Sequence, residues 1–236
     1  MIIVAVYACS DLHGMYNLYE KICNFIEPED TVYFLGDAND RGPDSWKLIK
    51  AIAANPQFIY LKGNHEDMLM KAMIEEYSFD RDIDWGNAYA LLAYNDGVDT
   101  FNDWLDDGAP RGWINYLKNL PTYTTYENVC GQTVHLSHAG FTYKEDGTIP
   151  YSKDLMWDRK HITAPETFTG QVSNAKNIIV HGHTPVPYIF ESNNYIGMCV
   201  YENGTKICID AGSFDTGHTI LLDLDTFSEY PLGIED

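Results

Sequence analysis

Hydrophobic positions in the first third of the chain alternate between two periods. Continuous apolar, largely β-branched or aromatic stretches at Ile2–Cys9, Thr31–Leu35 and Phe58–Leu61 predict strands buried on both faces. Between them, Leu18, Ile22, Phe25 and Ile26 recur at helical spacing and predict a helix from Met15 to Ile26. Two more helices are predicted, from Ser45 to Ala54 and from His65 to Tyr77. This βαβαβα order implies parallel strands with ligand groups at their carboxyl ends. The back half reads differently. Short runs at Tyr123–Tyr126, Thr133–Leu136, Ile178–Val180, Tyr188–Phe190, Met198–Tyr201, Ile207–Ile209 and Thr219–Leu224 predict strands, with Glu202-Asn203-Gly204-Thr205 as a hairpin turn. Two sheets packed face to face with helices outside are therefore expected.

Residues 78–120 interrupt this alternation. Asp80, Asp82, Asp84, Asp96, Asp99, Asp103, Asp106 and Asp107 are interleaved with Trp85, Tyr89, Tyr94, Phe101 and Trp104. This reads as a mostly helical insertion. It is either a lid over a site or an acidic, solvated face whose aromatics turn into the core. Trp113–Leu120 predicts one further helix, ended by Pro121.

Composition narrows the class. A chain of 236 residues suits one domain spanning 1–236, and 45% hydrophobic residues fit a folded globule. Thirty-five acidic against 15 basic residues leave a net charge of −20, which argues against nucleic acid and anionic membranes as partners. Five scattered cysteines with no CxxC pair suggest free thiols in a reducing cytosol. Met1–Ala8 is apolar but short and lacks a basic flank, so it reads as a strand and not a leader; no run is long enough to span a bilayer.

Candidate chemistry sits in five short blocks, each after a strand-like run: Ser10-Asp11-Leu12-His13-Gly14, Gly36-Asp37-Ala38-Asn39-Asp40-Arg41-Gly42, Gly63-Asn64-His65-Glu66, Ser137-His138-Ala139-Gly140 and His181-Gly182-His183-Thr184-Pro185. Taken singly, each admits a structural role. Asp11 and Asn64 suit helix caps, Asp40 and Arg41 a local ion pair, and His138 and His183 hydrogen-bonded core histidines. Together they hold enough carboxylate, amide and imidazole donors for two divalent ions of the Mn²⁺, Fe²⁺ or Zn²⁺ type, without thiolates. Arg41 offers a planar fork for a phosphoryl group, and His65 a proton donor if a carboxylate such as Asp40 supports it. His181 and His183, two residues apart, are expected to face one side, with His183 the donor and His181 supporting it or lying near the phosphate.

In this order the blocks resemble the calcineurin-like metallophosphoesterases, and within them the bacterial and bacteriophage-lambda-type serine/threonine phosphatases. The resemblance implies an α/β fold, a four-layer α/β/β/α sandwich. It implies Asp11, His13 and Asp37 on one metal and Asp37, Asn64, His138 and His183 on the other, with Mn²⁺ expected and iron, zinc or nickel as alternatives. His65 would be the general acid, oriented by Asp40. Arg41, Asn64 and Arg159 would bind phosphate, Arg159 coming from Leu155-Met156-Trp157-Asp158-Arg159, which resembles a Trp-x-Arg element. Asp210-Ala211-Gly212 resembles the family's closing Asp-Thr-Gly element. Ser10, Ala38-Asn39 and Ala139 depart from the common pattern without removing a donor. The activity implied is in-line hydrolysis of a phosphomonoester in a phosphoprotein, phosphopeptide or small phosphorylated molecule. Hydrolysis of a dinucleoside tetraphosphate and a non-catalytic metal-binding module are the rivals.

Overall fold

The structure is a computed structural model and describes residues 4–77, 88–163, 168–192 and 195–234. The elements run β1 Val6–Cys9, α1 Tyr16–Phe25, β2 Thr31–Phe34, α2 Ser45–Ala54, β3 Phe58–Tyr60 and α3 Asn64–Tyr77. Then come α4 Ala88–Tyr94, α5 Val98–Asp106, α6 Gly112–Asn119, β4 Tyr123–Glu127 and β5 Thr133–Ser137. The last stretch holds α7 Ser152–Trp157, α8 Lys160–Thr163, β6 Asn177–His181, α9 Val186–Ile189, β7 Cys199–Tyr201, β8 Lys206–Cys208, α10 Ser213–Thr216, β9 His218–Asp223 and β10 Glu229–Gly233.

Two mixed sheets result, in the orders β10-β9-β1-β2-β3 and β4-β5-β6-β8-β7. Strands β1, β2 and β3 pair in parallel, as their helical crossovers require, and β9 and β10 close that sheet antiparallel. In the second sheet β5, β6 and β8 are parallel, with β4 and β7 antiparallel at the edges. Strand periodicity explains the layers. Ala8, Leu35, Val134, Val180, Ile207, Ile220 and Leu222 share one core between the sheets, while Tyr7, Cys9, Val32, Phe34 and Leu221 face α1 and α2. Cys199, Tyr201 and Cys208 face outward from the second sheet, toward α8 and α9. The order is helix, sheet, sheet, helix, the α/β/β/α sandwich.

One expectation changes, and one open alternative narrows. Tyr188–Phe190 is not a strand: Pro185 and Pro187 deny ladder donors, and the segment turns as α9 with Tyr188 exposed. The described part of the insertion packs into the core. Leu92, Phe101 and Trp104 are buried in the core shared with α2 and α3, and Trp104 packs edge-on against Tyr77 at 5.8 Å. Asp99, Asp103, Asp106 and Asp107 are exposed, so the acidic-face reading is the one realised. Asp80, Asp82, Asp84 and Trp85 lie outside the described residues. Residues 2 and 3 of the first predicted strand do as well, and β10 had no sequence signal strong enough to register.

Candidate active site

All five blocks meet where the central strands end. Parallel pairing of β1, β2 and β3 puts their following loops side by side. The β5 and β6 ends approach from the second sheet, with His138 Nδ1 2.9 Å from the Leu35 carbonyl. Asp11, His13, Asp37, Asp40, Asn64, His65, His138 and His183 are all buried there. The backbone is unusual at this point. Asp11, His13, Asp37, Asp40, Arg41 and His183 all have left-handed φ, between 42° and 70°. That region costs a residue with a Cβ of order 1 kcal/mol, so the surrounding contacts must hold six such residues in place.

Asp37 is the hub. Its Oδ2 lies 3.3 Å from His138 Nε2 and 3.8 Å from both His13 Nε2 and His65 Nε2. Its Oδ1 accepts the His65 N–H at 3.0 Å, placing the carboxylate at the N-terminus of α3, where an anion is favoured. His138 Nε2 also lies 2.9 Å from Asn64 Oδ1 and 3.1 Å from His183 Nδ1. Asn64 does open α3, as the capping alternative required, but its side-chain oxygen faces His138. Asp11 Oδ1 lies 4.0 Å from His13 Nε2, and its Oδ2 accepts from Ser10 Oγ and from His183 N–H at 3.0 Å. Among the described residues, two groups place one donor atom from each member within 4.8 Å of one another: His13, Asp37 and His65, and Asp37, His138 and His183.

Charge in this pocket is unevenly shared. Burial alone would lower His138, but the carboxylates of Asp37 and Asp11 raise it to about 9. Burial would likewise raise Asp37, yet His138 and His65 hold it well below the usual carboxylate range. Burial, reinforced by neighbouring cations, pushes His13 and His183 well down and keeps both rings neutral. Asp210 is pushed well up by burial and by Asp11. Several carboxylates thus share one buried pocket, an arrangement that divalent cations relieve. Oxygen and imidazole donors without thiolate suit borderline ions, and the pocket fits metals of that kind.

The arginines and the proton donor border this hub. His65 Nδ1 donates to Asp40 Oδ2 at 2.7 Å, and Arg41 Nη2 lies 3.4 Å from His65 Nε2. Arg159 Nε donates to His183 Nε2 at 2.9 Å and its Nη2 to the His183 carbonyl at 3.2 Å. Both guanidinium side chains belong to exposed residues. One borders the first donor group and one the second.

His181 departs from expectation. Regular strand geometry ends at His181 and His183 has φ 70°, so the two rings part. His183 enters the pocket, while His181 Nε2 meets the Tyr201 hydroxyl at 2.8 Å on the outer face of the second sheet. Gly182 between them presses its backbone on Ser10 and Asp11, leaving no room for a Cβ.

Three contributors had gone unassigned. Glu66, fully buried, accepts from Asp37 N–H at 2.9 Å, Ala38 N–H at 2.7 Å, Gly63 N–H at 2.7 Å and the Tyr60 hydroxyl at 2.7 Å. Its place beside His65 in the third block was the available signal. Asn39 acquires a purpose: its carbonyl accepts from His13 Nδ1 at 2.8 Å, and its Nδ2 donates to Asp40 Oδ1 at 2.8 Å. Thr100, from α5, donates to the same Asp40 oxygen at 2.8 Å. Nothing local marked it.

The chain is also similar to known proteins. Residues 4–211 match the family model described as calcineurin-like phosphoesterase. Serine/threonine-protein phosphatase 2 of Escherichia coli is 26% identical over 220 residues, covering 90% of this chain and 89% of the relative. A symmetrical bis(5'-nucleosyl)-tetraphosphatase of Delftia acidovorans is 34% identical over 147 residues, but these are 58% of this chain and only 44% of that protein. A crystal structure described as a putative diadenosine tetraphosphatase superposes with a TM-score of 0.61 at 15% identity, covering 98% of this chain and 94% of that one, and shares the fold. With the sandwich, the clustered blocks and this match in hand, the chain belongs to the calcineurin-like phosphoesterase family.

Proposed function

We propose that this chain is a divalent-metal-dependent phosphomonoesterase of the serine/threonine protein phosphatase type. One observation carries the reading: two donor groups share Asp37, and each is bordered by an exposed arginine, Arg41 on one side and Arg159 on the other. Asp11, His13 and Asp37 would hold one ion, and Asp37, Asn64, His138 and His183 the second. His65 lies within reach of the first group too. However, its Nδ1 is committed to Asp40, the carboxylate partner that a proton-donating histidine needs. When bound, the two ions would supply an activated water and neutralise phosphate charge.

The protein's own groups would do the rest. Arg41 and Arg159 bind the phosphoryl oxygens as planar forks, with the Asn64 amide beside them. Asp40 keeps His65 in the tautomer with the proton at Nδ1 in the ring's neutral form. Charged, the ring can donate from Nε2 to the departing alkoxide, and burial, which would lower its pKa, is outweighed by Asp37 and Asp40. Manganese is the expected ion, with iron, zinc or nickel as alternatives for the same donors. We also take 1–236 as one domain, since the inter-sheet core draws on both sheets, and the five unpaired thiols fit a cytoplasmic setting. Among the described residues, no helix is long and apolar enough to cross a membrane.

The protein-phosphate preference rests on what surrounds Arg41. One groove beside it is lined by Ala93, Asp96, Val98, Asp99 and Phe214, and another by Asp99, Asn102 and Asp103. These carboxylates oppose a polyphosphate chain and favour a single phosphate flanked by cationic groups. The exposed Phe214 is the observation that favours the second reading, since it offers a face for a nucleobase. Turnover of a basic phosphoserine peptide and of a diadenosine tetraphosphate, each with Mn²⁺, Fe²⁺, Zn²⁺ and Ni²⁺, tests both. Faster peptide turnover is expected. Preference for the dinucleotide would replace the first reading with the second, and inactivity on both would leave a binding module.

A further inference from the structure

Asp40 has two carboxylate oxygens, and the structure treats them differently. Oδ2 accepts from His65 Nδ1, while Oδ1 accepts two donors, Asn39 Nδ2 and Thr100 Oγ1, each at 2.8 Å. Thr100 Oγ1 also accepts the Asp40 N–H at 3.2 Å, so one hydroxyl grips both the backbone and the side chain of the same residue. Asn39 Nδ2 additionally donates to the His65 carbonyl at 3.2 Å. Thr100 lies 60 residues away in sequence, on the first turn of α5, and is 1% exposed.

The grip matters because the loop is strained. Asp40 and Arg41 both sit at φ 69°, in the left-handed region. No carboxylate or guanidinium residue adopts that region for preference, and two sets of bonds that hold it come from the insertion. One is the Thr100 pair; the other is Arg41 N–H donating to the Asp96 carbonyl at 3.2 Å. Without the hydroxyl, Asp40 keeps only Asn39 on Oδ1 and loses its backbone partner. The carboxylate can then rotate and the loop can relax, taking the His65 contact with it.

We propose that Thr100 of the acidic insertion is a positioning residue, fixing Asp40 so that His65 is aimed at the leaving group. The proposal rests on the reading of His65 as general acid. It gives the insertion a task at the site, exerted through the two bonds between Thr100 and Asp40. Thr100 touches no substrate; it acts through Asp40.

The test compares phenyl phosphate, whose leaving group needs a proton, with p-nitrophenyl phosphate, whose leaving group does not. Both are run with the Mn²⁺-loaded enzyme, and metal content and thermal unfolding are recorded for each variant. In Thr100→Val, kcat on phenyl phosphate should fall about tenfold more than kcat on p-nitrophenyl phosphate. Thr100→Ser, which keeps the hydroxyl, should return the ratio to within about twofold of the unmodified enzyme. Thr100→Ala removes the same hydroxyl with less bulk and serves if the valine variant does not accumulate. His65→Ala calibrates the assay. If it shows the selective loss and the Thr100 variants lose activity equally on both substrates, the inference fails and the general-acid reading stands. Failure of serine to restore the ratio also overturns it. If His65→Ala itself loses both equally, the general-acid reading fails and the inference falls with it.

Discussion

Replacing Asp40 with Asn tests whether its charge, and not merely its shape, sets the state of His65. The substitution keeps the volume, so the question is which end of the new amide faces the histidine. Asn39 Nδ2 and the Thr100 hydroxyl both donate to Oδ1. Turning the Asn39 amide over to suit the change would set its oxygen against the His65 carbonyl it now contacts. The oxygen of Asn at position 40 must therefore stay on that side, and its NH₂ faces His65 Nδ1. The histidine then accepts at Nδ1, and its charged form would bring N–H against N–H. The cation loses a charge-assisted bond of about 1.5–3 kcal/mol and gains an opposed donor, so about 3 kcal/mol in all. That corresponds to a rate loss of roughly 10²-fold where the leaving group needs the proton. The assay is kcat on a phosphoserine peptide against kcat on p-nitrophenyl phosphate. A loss near 10² on the peptide and a few-fold on the nitrophenyl ester is expected. Equal losses on both would refute the argument, because a general disturbance of the pocket makes no distinction between leaving groups.

Asp37→Ala removes the oxygen common to both donor groups, so bound manganese measured by atomic emission should fall from two ions to below one; retention of two would sink the shared-carboxylate assignment. Trp104→Ala deletes a fully buried indole packed against Tyr77 and Phe101, at a cost of about 3–5 kcal/mol, seen as a drop in Tm of about 10 °C; a change under about 2 °C would show that the insertion does not share the core. His161 is buried, with Nδ1 3.8 Å from Asp158 Oδ2, and burial, aided by the Lys206 cation, outweighs Asp158 and pushes its pKa down to about 4. Its folded value lies below the unfolded value of about 6.5, so the neutral ring is favoured by folding; the contribution is complete above pH 6.5 and is lost as pH falls toward 4, about 3 kcal/mol in all. His161→Phe should flatten that part of the urea-unfolding profile between pH 7 and 4, and an unchanged pH slope would contradict it.

Strand and helix order in the front half was legible because the apolar period is a local property. The bounds of α2 follow directly from Trp46, Leu48, Ile49 and Ile52 on one face. The donor residues were legible for a related reason: in a parallel sheet, short polar blocks after successive strands converge without further information. So Asp11, Asp37 and Asn64 could be placed before any distance was known. The prolines that turned Tyr188–Phe190 into a helix were visible too, but aromatic strand preference outweighed them.

What tertiary structure alone decided concerns conformation and distant partners. The left-handed φ at Asp11, His13, Asp37, Asp40, Arg41 and His183 could not be read from the sequence, since even Asp and His, which visit that region more often than most residues, adopt it only at a minority of positions. That turn is also why His181 and His183 part company despite a spacing that predicts one face. Glu66 and Thr100 became site residues because folding brought four donors to one and Asp40 to the other, across up to 60 residues. Sequence by itself determined which chemical groups this protein can bring to a phosphate ester. The fold decided how they are aimed, because aim depends on hydrogen bonds between segments that share no local pattern.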